Sequence, residues 1–189
     1  PRPETEMLVE TVVAAAEGTA PAIIDIGTGS GAIILSLLHY LPQATGTGVD
    51  ISPKALAIAA ENGRTLGLDG RVTWIESDLF TKVPQGACDW LVSNPPYLTK
   101  GDMEHLQPEV RHDPALALYG GDDGLEFYRR IAAESPAYVK AGGHCAVEIG
   151  AGQADAVTAI FCRHGAYDHE QTVKDYGGID RVLVFSRKE

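Results

Sequence analysis

Asn94-Pro95-Pro96-Tyr97 gathers a side-chain amide, a backbone carbonyl held by a proline ring and an aromatic face within four residues. That set suits a reaction at a planar nitrogen. An amide or aromatic amine is a poor nucleophile because its lone pair is delocalised. Accepting hydrogen bonds from both of its N–H groups fixes the nitrogen and favours pyramidalisation toward an electrophile. Asn94 offers a side-chain carbonyl, Pro95 a backbone carbonyl whose ring limits its motion, and Tyr97 a flat surface for a planar group. No strong base is needed, since the nitrogen acidifies once alkylated. An Asn-Pro step also opens ordinary turns, so the chemistry depends on what else reaches this point.

A second constellation precedes it. Asp25-Ile26-Gly27-Thr28-Gly29-Ser30-Gly31 separates a short apolar run from a helical pattern. Glycines there let the backbone turn tightly and approach a ligand at the positive end of a helix. Asp50 closes the next strand, where a carboxylate can accept hydrogen bonds from ribose hydroxyls. Two ligands compete for this loop. Gly27-x-Gly29-x-x-Ala32 satisfies the dinucleotide fingerprint, which would take NAD. The alternating Asp-x-Gly-x-Gly-x-Gly form resembles motif I of S-adenosylmethionine-dependent methyltransferases. In that family the loop packs on the amino-acid part of the cofactor and the second-strand acid holds the ribose.

The elements that must carry these residues alternate. Ala22–Ile26, Thr45–Asp50, Arg71–Ser77, Asp89–Ser93 and Gly143–Ile149 read as strands. Ala32–Leu41, Lys54–Leu66, Leu125–Val139 and Gln153–His164 read as helices, with Ser52 as N-cap and Pro53 in the first turn of the second. Tyr167–Lys174 and Arg181–Ser186 read as a closing strand pair around Gly177-Gly178. The pattern predicts an α/β fold: a doubly wound, mostly parallel, seven-stranded sheet with one reversed C-terminal strand. Leu98–Gly124 shows no clear periodicity and reads as a long functional loop. Trp74 and Trp90 are expected in or against the core.

Asn94-Pro95-Pro96-Tyr97 resembles motif IV of amino-methyltransferases acting on adenine, guanine or glutamine nitrogen, and the flanks narrow the family. Pro1-Arg2-Pro3-Glu4-Thr5-Glu6 is similar to the segment that opens the catalytic domain of release-factor glutamine N5-methyltransferases. Glu109-Val110-Arg111, Asp113-Pro114 and Ala117-Leu118 resemble that family's loop after the substrate motif, and Gly120-Gly121-x-Asp123-Gly124-Leu125 the segment beyond. Lys174-Asp175-Tyr176-Gly177-Gly178 with Asp180-Arg181-Val182 is similar to its C-terminal hairpin. The likeness covers the whole chain. It implies a Rossmann-like class I methyltransferase that methylates the glutamine of the Gly-Gly-Gln loop in peptide chain release factors.

Carried over by position, the resemblance gives S-adenosylmethionine to Gly27, Thr28, Gly29, Ser30, Gly31, Asp50, Ile51 and Asn94. Asp78 and Leu79 would flank the adenine, although relatives often carry an aromatic residue where Leu79 stands. Pro3 and Thr5 would line the site from the N-terminal side. Asn94, Pro95, Pro96 and Tyr97 form the catalytic set, with the glutamine amide held by the first two. Glu148 reads as satisfying local amides at the end of its strand, and Arg111 and Arg181 as salt-bridged framework or equally as substrate contacts. The resemblance further implies that 1–189 is one catalytic domain and that the family's N-terminal helical docking domain lies outside it. The chain starts at Pro1 rather than Met, so the sequence is expected to be a piece of a longer one.

Bulk properties bound the alternatives. The 189 residues carry 15 Lys+Arg against 26 Asp+Glu, a net charge of −11, with 44% hydrophobic residues. Such a balance predicts a soluble globular domain. A surface that grips phosphates needs excess cations, so no direct nucleic-acid partner is expected, which disfavours the alternative of an RNA or DNA adenine or guanine amino-methyltransferase. No apolar run is long enough for a bilayer. Cys88, Cys145 and Cys162 read as buried thiols of a reducing, cytoplasmic compartment, and the six histidines lack metal-ligand spacing. The expectation is a cytoplasmic monomer without a metal.

Overall fold

The computed structural model describes residues 3–106 and 115–189. Pro1-Arg2 and the stretch holding Glu109-Val110-Arg111 and Asp113-Pro114 lie outside the described residues. One seven-stranded sheet runs through the molecule in the order β3-β2-β1-β4-β5-β7-β6. Its strands are β1 (Ala22–Ile26), β2 (Thr45–Asp50), β3 (Val72–Glu76), β4 (Cys88–Ser93), β5 (Val139–Glu148), β6 (Tyr167–Lys174) and β7 (Asp180–Arg187). Strands β1 to β5 pair in parallel, while β7 runs antiparallel to both β5 and β6. The expected single reversed strand is therefore β7, set inside the edge strand β6.

Period-two alternation sorts side chains onto the two faces. Leu91, Cys145, Val147, Leu183 and Phe185 join one core with α5 (Glu126–Glu134) and α6 (Ala154–Cys162), where Phe161 stacks on Phe185 at 4.4 Å between centroids. Trp90, Val92, Ala146, Val182 and Val184 join the other with α1 (Pro3–Ala16) and α2 (Ala32–Tyr40). Each fully buried Leu, Ile or Phe contributes about 1.5–3 kcal/mol. Both tryptophans pack as expected: Trp90 stacks on His144, and Trp74 lies half-buried against Gly31 and Gly48. Burial pushes the Cys88 thiol up to about 12 and the Cys145 thiol well above its usual value, whereas Cys162 is half-buried.

Helix α3 (Pro53–Thr65) starts as expected, with Ser52 Oγ accepting the Ala55 amide at 3.1 Å. Elsewhere the boundaries differ from the sequence reading. Helix α5 ends at Glu134 because Pro136 turns the chain into a short 3-10 segment, Ser135–Ala137. β5 begins four residues before the expected Gly143, since Val139 already pairs with Cys88. Within the loop expected after Leu98, Thr99 and Asp102 form a reciprocal capping box for the short α4 (Lys100–Glu104). From β3 to β4 the chain crosses without any helix, and Pro84-Gln85-Gly86-Ala87 lies exposed at the amino edge of the sheet. No helix among the described residues is long and apolar enough to cross a membrane.

Candidate functional site

The order of the sheet places a switch point between β1 and β4, whose following segments diverge to opposite faces; ligands of doubly wound folds bind at such points. Register does the rest. Ile26 pairs with Ser93, and Ser93 Oγ donates to the Ile26 carbonyl at 2.7 Å. The next residue on each strand is Gly27 on one side and Asn94 on the other. A cavity of about 740 Å³ opens there, lined by Thr5, Thr28, Gly29, Asn94, Tyr97 and Leu98 among others.

The glycine loop is held from below. The Gly27 and Thr28 amides donate to the Val49 carbonyl at 2.8 Å, and the Gly29 amide donates to Asp50 Oδ2 at 2.8 Å. Asp50 Oδ1 accepts the Ser52 amide at 2.9 Å, so one carboxylate ties the loop to the start of α3. Gly27 and Gly29 have φ of 73° and 56°, and a Cβ on either would meet nothing within 4 Å. Open space therefore faces the loop, as a ligand approaching the backbone requires. Gly31 is different. Its Cβ would stand 3.0 Å from Trp74, so this glycine serves packing.

Asp25, fully buried under the loop, accepts the Thr28 hydroxyl at 2.7 Å. Burial pushes its carboxyl up to about 7; the Thr28 hydroxyl and the Ile34 amide oppose this, and the Asp50 charge adds to it. The unfolded chain releases this proton near pH 4 and the folded one near 7, so between those values the folded state holds more protons and loses stability as pH rises. Asp25→Asn should remove that slope. Urea unfolding at pH 5 and 7.5 checks it: the parent's loss across the interval should exceed the variant's by on the order of a few kcal/mol.

On the opposite wall, Asn94 to Tyr97 are clamped through their backbone. Gln153 Nε2 donates to the Tyr97 and Gly124 carbonyls at 3.3 Å, while Gln153 Oε1 accepts the Gly150 amide at 2.9 Å. Leu98 exchanges backbone hydrogen bonds with Leu118 and Gly120 at 3.0 and 2.8 Å. The Tyr97 ring is half-buried, close enough to Gly150 that a Cβ there would stand 2.9 Å from it. Glu148, expected from sequence to satisfy local amides, is 2% exposed and accepts the Thr5 hydroxyl at 2.8 Å. Gln153 carried no sequence signal beyond starting a helix.

Of the expected site residues, Gly27, Thr28, Gly29, Ser30, Thr5 and Asn94 to Tyr97 share the cavity wall. Gly31, Asp50, Ile51, Asp78 and Leu79 are not on it. Ile51 is exposed beside Asp50. Asp78 pairs with Arg130 at 3.0 Å, and Leu79, with φ of 47°, sends its side chain into the core beside Phe80 and Val83. Arg181 bonds Asp175 at 2.8 Å, and Asp175 Oδ1 accepts the Gly177 and Ile179 amides, so both build the β6–β7 turn whose Tyr176 is almost fully exposed. No group of three or more metal-ligating side chains occurs among the described residues.

Sheet, reversed strand and switch-point cavity are those of a methyltransferase, and the model of the methyltransferase small domain family matches residues 3–110. A release factor glutamine methyltransferase from Agrobacterium fabrum is 48% identical over 99% of this chain and 66% of its own length. One from Moorella thermoacetica is 44% identical over 100% of this chain and 67% of its own. The solved protein-(glutamine-N5) methyltransferase (release factor-specific) from Alicyclobacillus acidocaldarius is 31% identical, with a TM-score of 0.61 over 100% of this chain and 94% of that one. The chain belongs to the release factor glutamine methyltransferase family. It spans about two thirds of the length of the two curated relatives.

Proposed function

We propose that this chain transfers a methyl group from S-adenosylmethionine to the side-chain nitrogen of a glutamine in the Gly-Gly-Gln loop of a peptide chain release factor. The observation that carries this is the Ile26–Ser93 register, which sets the Asn94 amide beside an open glycine cradle in one cavity. The names of the relatives support the same substrate. Gly27 to Ser30 would hold the cofactor, with Gly31 closing the loop by packing and Asp50 available to accept from its ribose hydroxyls. When bound, S-adenosylmethionine supplies an electrophilic methyl group on a sulfonium sulfur.

The chain's own residues hold and orient the acceptor. Asn94 Oδ1 and the Pro95 carbonyl accept the two N–H groups of the glutamine amide, fixing its nitrogen in line for attack. The half-buried Tyr97 ring packs on the flat amide and keeps water from the nitrogen. A proton released from the methylated nitrogen leaves to solvent. In this reading the chain acts in the cytoplasm as a monomer on a protein, and its −11 net charge repels nucleic acid.

Mass spectrometry of a release factor after incubation with the protein and labelled S-adenosylmethionine tests the proposal. A mass gain of one labelled methyl group on the Gly-Gly-Gln glutamine supports it. A methylated adenine or guanine in tRNA, with the release factor untouched, would replace it with the nucleic-acid reading. Asp50→Ala should weaken cofactor binding by about 1–3 kcal/mol, because it strips the Gly29 and Ser52 amides of their acceptor as well as the ribose. Calorimetric titration gives that number, and an unchanged Kd would remove Asp50 from the site.

A further inference from the structure

Three elements that are distant in sequence meet at one hydroxyl. Thr5 lies in the first turn of α1, Glu148 ends β5 and Asn94 follows β4. Thr5 Oγ1 donates to Glu148 Oε2 at 2.8 Å and receives Asn94 Nδ2 at 3.4 Å. Thr5 is 6% and Glu148 2% exposed, so water competes poorly for either bond. At 3.4 Å the Asn94 contact is the longer and weaker of the two.

A hydroxyl has one proton and two lone pairs, and a carboxylate only accepts. The Thr5 proton is committed to Glu148, which leaves lone pairs for Asn94. Only the NH2 end of the Asn94 side chain can answer a lone pair. Its carbonyl end is thereby turned the other way. This matters because the two ends of an asparagine are nearly the same shape and opposite in sign. A flipped Asn94 would still fill its place, yet it would present donors to a substrate nitrogen that itself carries N–H donors.

We propose that Glu148 and Thr5 are positioning residues: the carboxylate orients the hydroxyl, the hydroxyl orients the Asn94 amide, and the carbonyl end of that amide meets the substrate nitrogen. The inference rests on the reading of Asn94 as an acceptor for the substrate amide. It predicts a loss of competent orientation rather than a loss of fold when the relay is cut.

Thr5→Val keeps the shape and removes the hydroxyl, Thr5→Ser restores it, and Glu148→Met removes the acceptor at similar length. The first readout needs no turnover. In 15N-labelled protein, Thr5→Val and Glu148→Met should shift and broaden the side-chain NH2 resonances of Asn94, and Thr5→Ser should leave them near the parent positions. The second is single-turnover methylation of a release factor. Thr5→Val should lower the rate about ten- to a hundredfold with the KM for S-adenosylmethionine nearly unchanged. In an Asn94→Ala background the same substitution should cost little further.

Unmoved Asn94 resonances in Thr5→Val would overturn the relay. So would a rate loss that persists in full without Asn94, since Thr5 would then merely anchor α1 to β5. A parent protein that methylates no release factor would instead defeat the functional proposal, and the resonances would still decide the relay.

Discussion

Asn94→Ala should lower the rate of methyl transfer by a hundredfold or more while leaving the melting temperature near that of the parent. On the roles proposed for Asn94 and the Pro95 carbonyl, removing one of two acceptors lets the substrate nitrogen rotate out of line, and contacts of this kind typically carry factors of about 10²–10³ in rate. The fold has little stake in the side chain, because the strand ends are tied one residue earlier by Ser93 Oγ and the Ile26 carbonyl. Asn94→Asp returns an acceptor but sets a second carboxylate beside Thr5, whose proton already goes to Glu148. Its rate should fall between those of the alanine variant and the parent. Single-turnover measurements on the three forms check this, and parental speed in Asn94→Ala would make Asn94 an ordinary turn residue.

Gly124→Ala should damage both stability and activity. Gly124 sits at φ 73°, and a Cβ there would stand 2.3 Å from the Tyr97 carbonyl oxygen and 3.1 Å from Gln153 Nε2. The nearest obstacle is backbone, which cannot swing aside as a side-chain tip can. Left-handed backbone for an L-residue costs roughly 1–2 kcal/mol and overpacking roughly 1–3, so the variant should lose about 2–5 kcal/mol in denaturant unfolding. What gives way is the Tyr97 carbonyl and with it the Asn94–Tyr97 segment proposed to hold the substrate, where displacement by about 1 Å would cost about a hundredfold in rate. Gly86→Ala is the control, since a Cβ at Gly86 meets nothing within 4 Å. Equal stability of the two variants would show that the contact between Gly124 and Tyr97 relaxes freely.

What the sequence made legible was local: the glycine loop, the Asn-Pro-Pro-Tyr segment and six of the seven strands near their observed bounds all declare themselves within a few residues. Helix α1 carries an equally plain signal, outside the strands and helices expected from the sequence. Thr5, Leu8, Val12 and Ala16 recur at helical spacing and are all buried. The first turn of that helix delivers Thr5 to the site, and the bond from Thr5 to Glu148 follows only once the helix is in place. Leu79 shows a limit of another kind. A positive φ at a branched residue has no sequence signal, and it turns into the core a side chain expected against the adenine. Gln153 is a third case: its two long-range bonds depend on where Tyr97 and Gly124 come to rest, which no spacing encodes.

The helix-free crossover from β3 to β4 offers a place at which to divide the chain. Pro84-Gln85-Gly86-Ala87 is exposed and sits at the amino edge of the sheet, a full strand length from Asn94 and the glycine cradle. Exposed tips of this sort are where inserted domains and relocated termini are best accepted. The chain could be opened there, with one fragment keeping Asp25, the glycine loop and Asp50 and the other keeping Asn94, Tyr97 and Glu148. Neither half holds both walls of the cavity, so activity recovered on mixing would report reassembly of the sheet across the β1–β4 seam.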